Sequence, residues 1–210
     1  MIVALDGASA DLSIALAEPD GTTIASRGWA SAQRQSAELL PRLLDLIASS
    51  GRDLRSTTAL AVGLGPGSFT GLRVALALAK GLAHALERPI VGVPSLEAWL
   101  GAAPDAVAAV ARAGAREAYV LERRHATPLI GDHELVQDRL GREPVVAPTE
   151  LATAIGLVRA SPPAAGAWIA HRAAARLGEG DIDDVRRLEP IYVRAPRGLE
   201  AEPDGAVRWL

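Results

Sequence analysis

Gly63-Leu64-Gly65-Pro66-Gly67-Ser68-Phe69-Thr70-Gly71-Leu72-Arg73 stands between the apolar segment Ala59 to Leu64 and an alanine- and leucine-rich stretch that runs to Leu86. The apolar segment reads as a buried central strand and the stretch after it as a helix, so the glycines fall in a strand-to-helix turn. Glycine tolerates positive φ and close approach by another group, and Pro66 stiffens the turn. Thr70 stands where a helix N-cap is wanted. Its hydroxyl can accept from a first-turn amide, and those amides with the helix dipole form an anion site. Two readings stay open here: a rigid turn that lets the helix pack close to the sheet, or a loop that touches a ligand.

The familiar phosphate motifs do not fit. A Walker loop ends in Gly-Lys-Ser/Thr, and the single lysine, Lys80, lies well inside the following helix. The dinucleotide pattern fails because its third glycine is Ser68 counted from Gly63 and Thr70 counted from Gly65.

As a whole string, the run resembles the Gly-x-Gly-Pro-Gly-Ser-Phe-Thr-Gly-x-Arg signature of the TsaB (YeaZ) family of bacterial tRNA threonylcarbamoyladenosine synthesis. The likeness continues, in family order, through Ile2 to Asp6, Ser36 to Pro41 and Pro89 to Leu96, covering the first half of the chain. It then thins to Glu117-Ala118-Tyr119 and Glu189-Pro190-Ile191-Tyr192-Val193-Arg194. Gln35 replaces a histidine common in the family, and Arg112-Ala113-Gly114 replaces Asp-Ala-Arg.

The resemblance implies an α/β chain of the actin-like, sugar-kinase and Hsp70 (ASKHA) fold, with two tandem lobes of mixed sheets flanked by helices and the second degraded. Residues 1–103 would form the N-terminal lobe and 104–210 a shorter C-terminal lobe and tail. It also implies a non-catalytic scaffold that dimerises with a TsaD-like catalytic subunit, alongside a TsaE-like ATPase, and meets tRNA only through the complex. No cofactor is firmly implied, ATP or ADP at a subunit interface is left open, and so is a homodimer of the isolated chain. The alternative is a stand-alone small ATPase or kinase of the same superfamily.

Composition narrows the partners. The 210 residues are 49% hydrophobic, enough for a sizeable core, and the net charge of -3 offers no basic field to recruit nucleic acid directly. Aromatics are only 3%, which disfavours base-stacking surfaces. The absence of cysteine removes disulfides and thiolate chemistry. Met1 to Leu5 is apolar but ends at Asp6 without a basic flank, so it reads as a strand rather than a signal. No run reaches the ~18 apolar residues of a membrane helix, and a soluble cytoplasmic protein is expected.

Along the chain, Ile2 to Leu5, Leu12 to Leu16 and Thr22 to Ser26 read as a three-strand meander with Glu18-Pro19-Asp20-Gly21 as a turn. Ser36 to Ser50 reads as a helix ended by Gly51, Gly71 to Leu86 as a second, and Ile90 to Val93 as a strand. An echo follows: strands at Ala106 to Ala111, Glu117 to Glu122 and Leu129 to Leu135, a helix at Thr149 to Val158 and a strand at Ala167 to Ala170. The tail through Pro196, Gly198, Pro203 and Gly205 reads as loop, with Val207 to Leu210 able to dock.

Asp6 stands where superfamily kinases place a metal- or phosphate-facing aspartate, although Gly7-Ala8-Ser9-Ala10 is a poor phosphate turn and a cap on that turn is an equal reading of Asp6. With Gly65, Gly67, Ser68, Thr70 and Gly71 it forms a candidate nucleotide-cleft remnant. His84, His125, His133 and His171 make no His-x-x-x-His pair, which argues against a metal centre. Ser68 and Ser95 have no histidine and acid in local reach, so no catalytic residue is assigned. The second helix is apolar on nearly every face, which suits full burial or a helix shared between two cores. Leu40 and Leu44 on the first helix and Leu72, Arg73, Ala75, Leu76, Ala79 and Ala83 on the second are the expected partner interface.

Overall fold

A computed structural model describes residues 1–31 and 34–193. Arg194, the expected tail loop and the docking of Val207 to Leu210 lie outside the described residues. The first three strands, β1 (Ile2–Asp6), β2 (Asp11–Ala17) and β3 (Thr23–Ala30), form the expected meander. In its second turn, between β2 and β3, the Asp20 carboxylate accepts the Thr22 N–H at 2.8 Å, and Gly21 takes φ 89°. Helix α1 (Gln35–Ser49) turns Leu39, Leu43, Leu46 and Ile47 inward. After a 3-10 turn come β4 (Ala59–Gly63), α2 (Phe69–Leu86), β5 (Ile90–Val93) and α3 (Ser95–Ala102). These strands make one sheet in the order β3-β2-β1-β4-β5, with β1 antiparallel to β2 and parallel to β4.

The second half repeats this plan. Strands β6 (Ala108–Arg112), β7 (Glu117–Glu122) and β8 (Leu129–Asp132) form a meander, followed by α4 (His133–Leu140), β9 (Val145–Val146), α5 (Thr149–Ile155), β10 (Ala160–Ser161) and α6 (Gly166–Gly178). The sheet order is β8-β7-β6-β9-β10, with β6 antiparallel to β7 and parallel to β9, matching the first sheet strand for strand. This is the duplicated ASKHA architecture, and the two-residue β9 and β10 show how far the second copy is shortened.

Three differences from the sequence reading are informative. Ala167 to Ala170 opens helix α6 rather than forming a strand; a four-residue apolar run fits either period, and Ile169, Ala170, Ala173 and Ala174 are buried at helical spacing. Leu129 to Leu135 is split, because the Asp132 carboxylate accepts the Leu135 N–H at 2.8 Å and starts α4 there. Helix α2 starts at Phe69, and at 18 residues it meets the length and hydropathy of a membrane-crossing helix. Its Leu72, Ala75, Leu76, Ala79 and Ala83 side is nevertheless packed into the protein's own core.

The two lobes are joined by exchanged helices. Helix α6, from the second half, packs on β1 and β2, whereas α3, from the first half, packs on β6, and the two helices touch. Between the sheets they form one core that includes Leu96, Trp99, Leu121, Val146 and Ile169. The Gly166 N–H at the start of α6 donates to Ser13 Oγ at 3.0 Å in this buried zone. Outer cores lie under α1 and α2 on one sheet and under α4 and α5 on the other.

Because Ile169 is fully buried in the shared core, Ile169→Ala is expected to destabilise the whole chain by about 2–5 kcal/mol. Urea titration followed by circular dichroism checks this. A lower midpoint with a single transition is expected, and two separated transitions would show that the lobes unfold independently.

Candidate functional site

β1 and β4 run parallel, with Leu5 opposite Val62, so Asp6 and the glycine-rich turn emerge side by side. The Asp6 carboxylate is fully enclosed. Its Oδ1 accepts the Ser95 hydroxyl at 2.8 Å and the Ala8 N–H at 3.3 Å, and its Oδ2 accepts the Trp99 indole N–H at 2.7 Å. Ser95 Oγ in turn accepts the Gly65 N–H at 3.0 Å. One carboxylate therefore ties the end of β1 to the glycine turn and to α3. Burial pushes the Asp6 pKa above its ordinary 3.8, against the lowering effect of the hydrogen bonds from Trp99, Ser95, Ala8 and Gly7.

The glycines face the protein's own backbone. A Cβ on Gly67 would collide with the Ala8 carbonyl oxygen, one on Gly71 with that of Gly7, and one on Gly63 with the Asp6 carboxylate. Gly65 takes φ 90°, and a Cβ there would meet Leu72 Cδ1 at 2.6 Å. The Ser68 N–H closes the seam by donating to the Ala8 carbonyl at 2.7 Å. Of the two readings left open above, the close-packed rigid turn is the one this geometry builds.

The expected cleft residues Asp6, Gly65, Gly67, Ser68 and Gly71 do come together, as mutual partners. Thr70 does not cap the helix: it is exposed in the first turn, and the N-cap is Ser68, whose hydroxyl accepts the Gly71 N–H at 3.3 Å. The reason is that the helical turn begins two residues before Gly71. In the fold Ser95 meets an acid 89 positions away in sequence, Asp6, and is wholly buried. Trp99 was not singled out from sequence. An indole N–H five residues after the Pro94 turn gave no local sign that it would meet a carboxylate 93 positions away.

The expected interface residues divide. Leu40 and Leu44 are exposed, at 38% and 41%, and Arg73 is exposed as well. Leu72, Ala75, Leu76, Ala79 and Ala83 are not surface residues, which corrects their assignment to a partner. The alanine spacing serves close approach to the sheet, since Ala75 lies against Gly7. The outward row of α2 is instead Arg73, Ala77, Gly81 and Ala85, flanked by the partly buried Val74, Leu78 and Leu82.

Among the described residues no group of three or more His, Asp or Glu side chains is arranged to hold a metal. An open groove of about 340 Å³ is lined by second-lobe residues, including Thr149, Thr153, Leu157 and Pro162, with no charged side chain.

Comparison with known proteins adds the following. The family described as "TsaD: tRNA N6-adenosine threonylcarbamoyltransferase" matches residues 30–150. The chain is 40% identical over 95 residues to the tRNA threonylcarbamoyladenosine biosynthesis protein TsaB of Escherichia coli (strain K12), covering 45% of this chain and 40% of that protein. It is 49% identical over 63 residues to the tRNA N6-adenosine threonylcarbamoyltransferase of Solidesulfovibrio magneticus, covering 30% of this chain and 17% of that one. The chain spans less than half the length of these curated relatives. A solved structure from Pseudomonas aeruginosa, described as similar to peptidase YEAZ, superposes with a TM-score of 0.72 at 24% identity, covering 92% of this chain and 99% of that one.

Two substitutions probe the seam. Gly67→Ala forces a Cβ against the Ala8 backbone, and a loss of about 1–3 kcal/mol is expected by analogy with overpacking. For Asp6 the raised folded-state pKa means that the unfolded chain ionises first as pH rises. Stability from this group is full below 3.8 and is lost as pH climbs from there through the folded-state pKa. Asp6→Asn should remove that pH slope and add a uniform loss of about 1–3 kcal/mol, because one N–H or O–H donor then faces an amide N–H. Denaturation midpoints at several pH values check both, and an unchanged slope in Asp6→Asn would assign it to another group.

Proposed function

We propose, on the premise that this chain belongs to the tRNA N6-adenosine threonylcarbamoyltransferase family and within it to TsaB, that it is a non-catalytic scaffold subunit. It dimerises with a TsaD-like catalytic subunit for threonylcarbamoyl transfer to the adenosine beside the tRNA anticodon, in the cytoplasm. The observation that carries the non-catalytic reading is the closed seam. Asp6, which an ATPase of this fold would turn towards metal or phosphate, is held by Ser95 and Trp99 at 2.8 and 2.7 Å, and the glycines meet backbone instead of open space.

The chain's offer to a partner is the outer face of α1 and α2. Leu40 and Leu44 present apolar surface, and the small side chains of Ala77, Gly81 and Ala85 let another helix come close. Covering such a face removes apolar area from water at about 25 cal/mol per Å². An isolated chain can cover the same face with a second copy of itself. A nucleotide, where one takes part, belongs at the joint between subunits, beside a TsaE-like ATPase. The net charge of -3 supports contact with tRNA through the complex rather than directly.

Loss of the protein should abolish the threonylcarbamoyl modification of cellular tRNA, measured by mass spectrometry of digested tRNA from a deletion strain; normal modification overturns the proposal. Calorimetry of the purified chain with magnesium ATP should show no binding. Micromolar binding with turnover would favour the small-kinase alternative. Leu44→Asp should weaken assembly with the catalytic subunit at least tenfold, equal to about 1.4 kcal/mol, with the thermal melt of the isolated chain unchanged because Leu44 is exposed.

A further inference from the structure

Segment 181–193 straps the β5 edge of the first sheet. Asp183 bridges Ile90, and its carboxylate accepts the Gly92 N–H at 2.7 Å. Arg176 locks the strap from α6, donating to the Gly92 carbonyl at 2.8 Å while pairing with Asp181 and Asp183. Further on, the Ile191 N–H donates to the Leu64 carbonyl at 2.8 Å. This places Tyr192 beside the first turn of α2, 119 residues away in sequence from its contact there.

That contact is Arg73. Its guanidinium lies 3.9 Å from the Phe69 ring centroid, and its Nε donates to the Tyr192 hydroxyl at 3.3 Å. The two rings are 6.0 Å apart, and both are well exposed, Phe69 at 45% and Tyr192 at 38%. The ring contact and the Nε bond restrain the guanidinium, and the hydrogen bond to Tyr192 uses Nε rather than either terminal nitrogen. Arg176 shows the contrast: its terminal nitrogens meet carboxylates of the same chain. Among the described residues no carboxylate pairs with Arg73.

We infer that Arg73, held by Phe69 and Tyr192, anchors a carboxylate side chain of the partner subunit at one end of the α1 and α2 face. The inference rests on the scaffold reading and names the chemistry that the partner brings. Arg73 opens the outward row that continues through Ala77, Gly81 and Ala85, so a helix laid along that row covers the guanidinium. Burying it without a counter-charge is strongly unfavourable, whereas a planar fork of fixed orientation matches a carboxylate bidentately. Aromatic and arginine side chains are also the residues that dominate binding energy in protein interfaces. Tyr192 is a positioning residue: it acts on the partner through Arg73, and it makes the C-terminal strap part of the binding surface.

The test is affinity for the purified catalytic subunit, by calorimetry across a salt series, with thermal melts of each variant alone. Arg73→Gln should weaken binding at least tenfold and flatten its salt dependence, with the melt unchanged because Arg73 is exposed. Arg73→Lys should keep the salt dependence but not the affinity, and Tyr192→Phe should cost about threefold with a smaller change in salt dependence. Wild-type affinity in Arg73→Gln, with binding lost in Leu44→Asp, overturns the inference and leaves the scaffold reading standing. Wild-type affinity in both variants overturns the scaffold reading as well. Saturation of the isolated chain by inorganic phosphate through Arg73, with partner affinity unaffected by Arg73→Gln, would make the ligand a phosphate and overturn the carboxylate.

Discussion

A buried carboxylate is costly unless its oxygens are hydrogen-bonded, and those of Asp6 are met by the Ser95 hydroxyl, the Trp99 indole and backbone amides. The rest of the architecture depends on that arrangement. Two of the donors sit on α3, so satisfying Asp6 fixes α3 at the end of β1, and α3 in turn is the floor on which β6 of the second lobe packs. The glycine turn is drawn into the same knot through Ser95 and Gly65. The Asp6 carboxylate is thereby part of the wall between β1 and α3 and faces no open cleft.

The exchange of α3 and α6 has a similar consequence. Each half contributes a helix to the core between the sheets, so neither sheet covers both of its faces with residues from its own half. In the second half the two-residue β9 and β10 carry short ladders, whereas β6, β7 and β8 pair along their length. That half has a core of its own under α4 and α5 and shares a second one with the first half. A degenerate repeat can persist under those conditions, because packing area, rather than strand length, holds it in place.

On the surface, α2 shows how one helix serves two purposes. Its alanines at positions 75, 79 and 83 bring it down on the sheet, and its outward row of small residues ends at the Arg73, Phe69 and Tyr192 cluster. A helix that is apolar all round reads from sequence as wholly buried or shared between cores. The structure buries one side and leaves the other exposed, and most of the residues expected at a partner interface lie on the buried side.

The sequence by itself determined the meander, α1, β4, α2 and β5 of the first lobe, though not α3, because their periodicity is long, their turns carry Pro, Asp and Gly, and a specific glycine string marks the strand-to-helix junction. It also named Leu40, Leu44 and Arg73, which are exposed, as interface residues together with Leu72, Ala75, Leu76, Ala79 and Ala83, which are buried, and it brought Asp6 and the glycines into one expected neighbourhood. Only the tertiary structure decided what those groups do. Whether Ala167 to Ala170 is strand or helix depends on the sheet it must cover, and which side of α2 faces inward depends on where Gly7 leaves room. The same is true of the contacts of Asp6 with Trp99 and of Arg73 with Tyr192, which join residues 93 and 119 positions apart. Such pairings are set by the closure of the whole chain, and no local pattern encodes them, because hydrogen bonds and packing are short-ranged in space without being short-ranged in sequence.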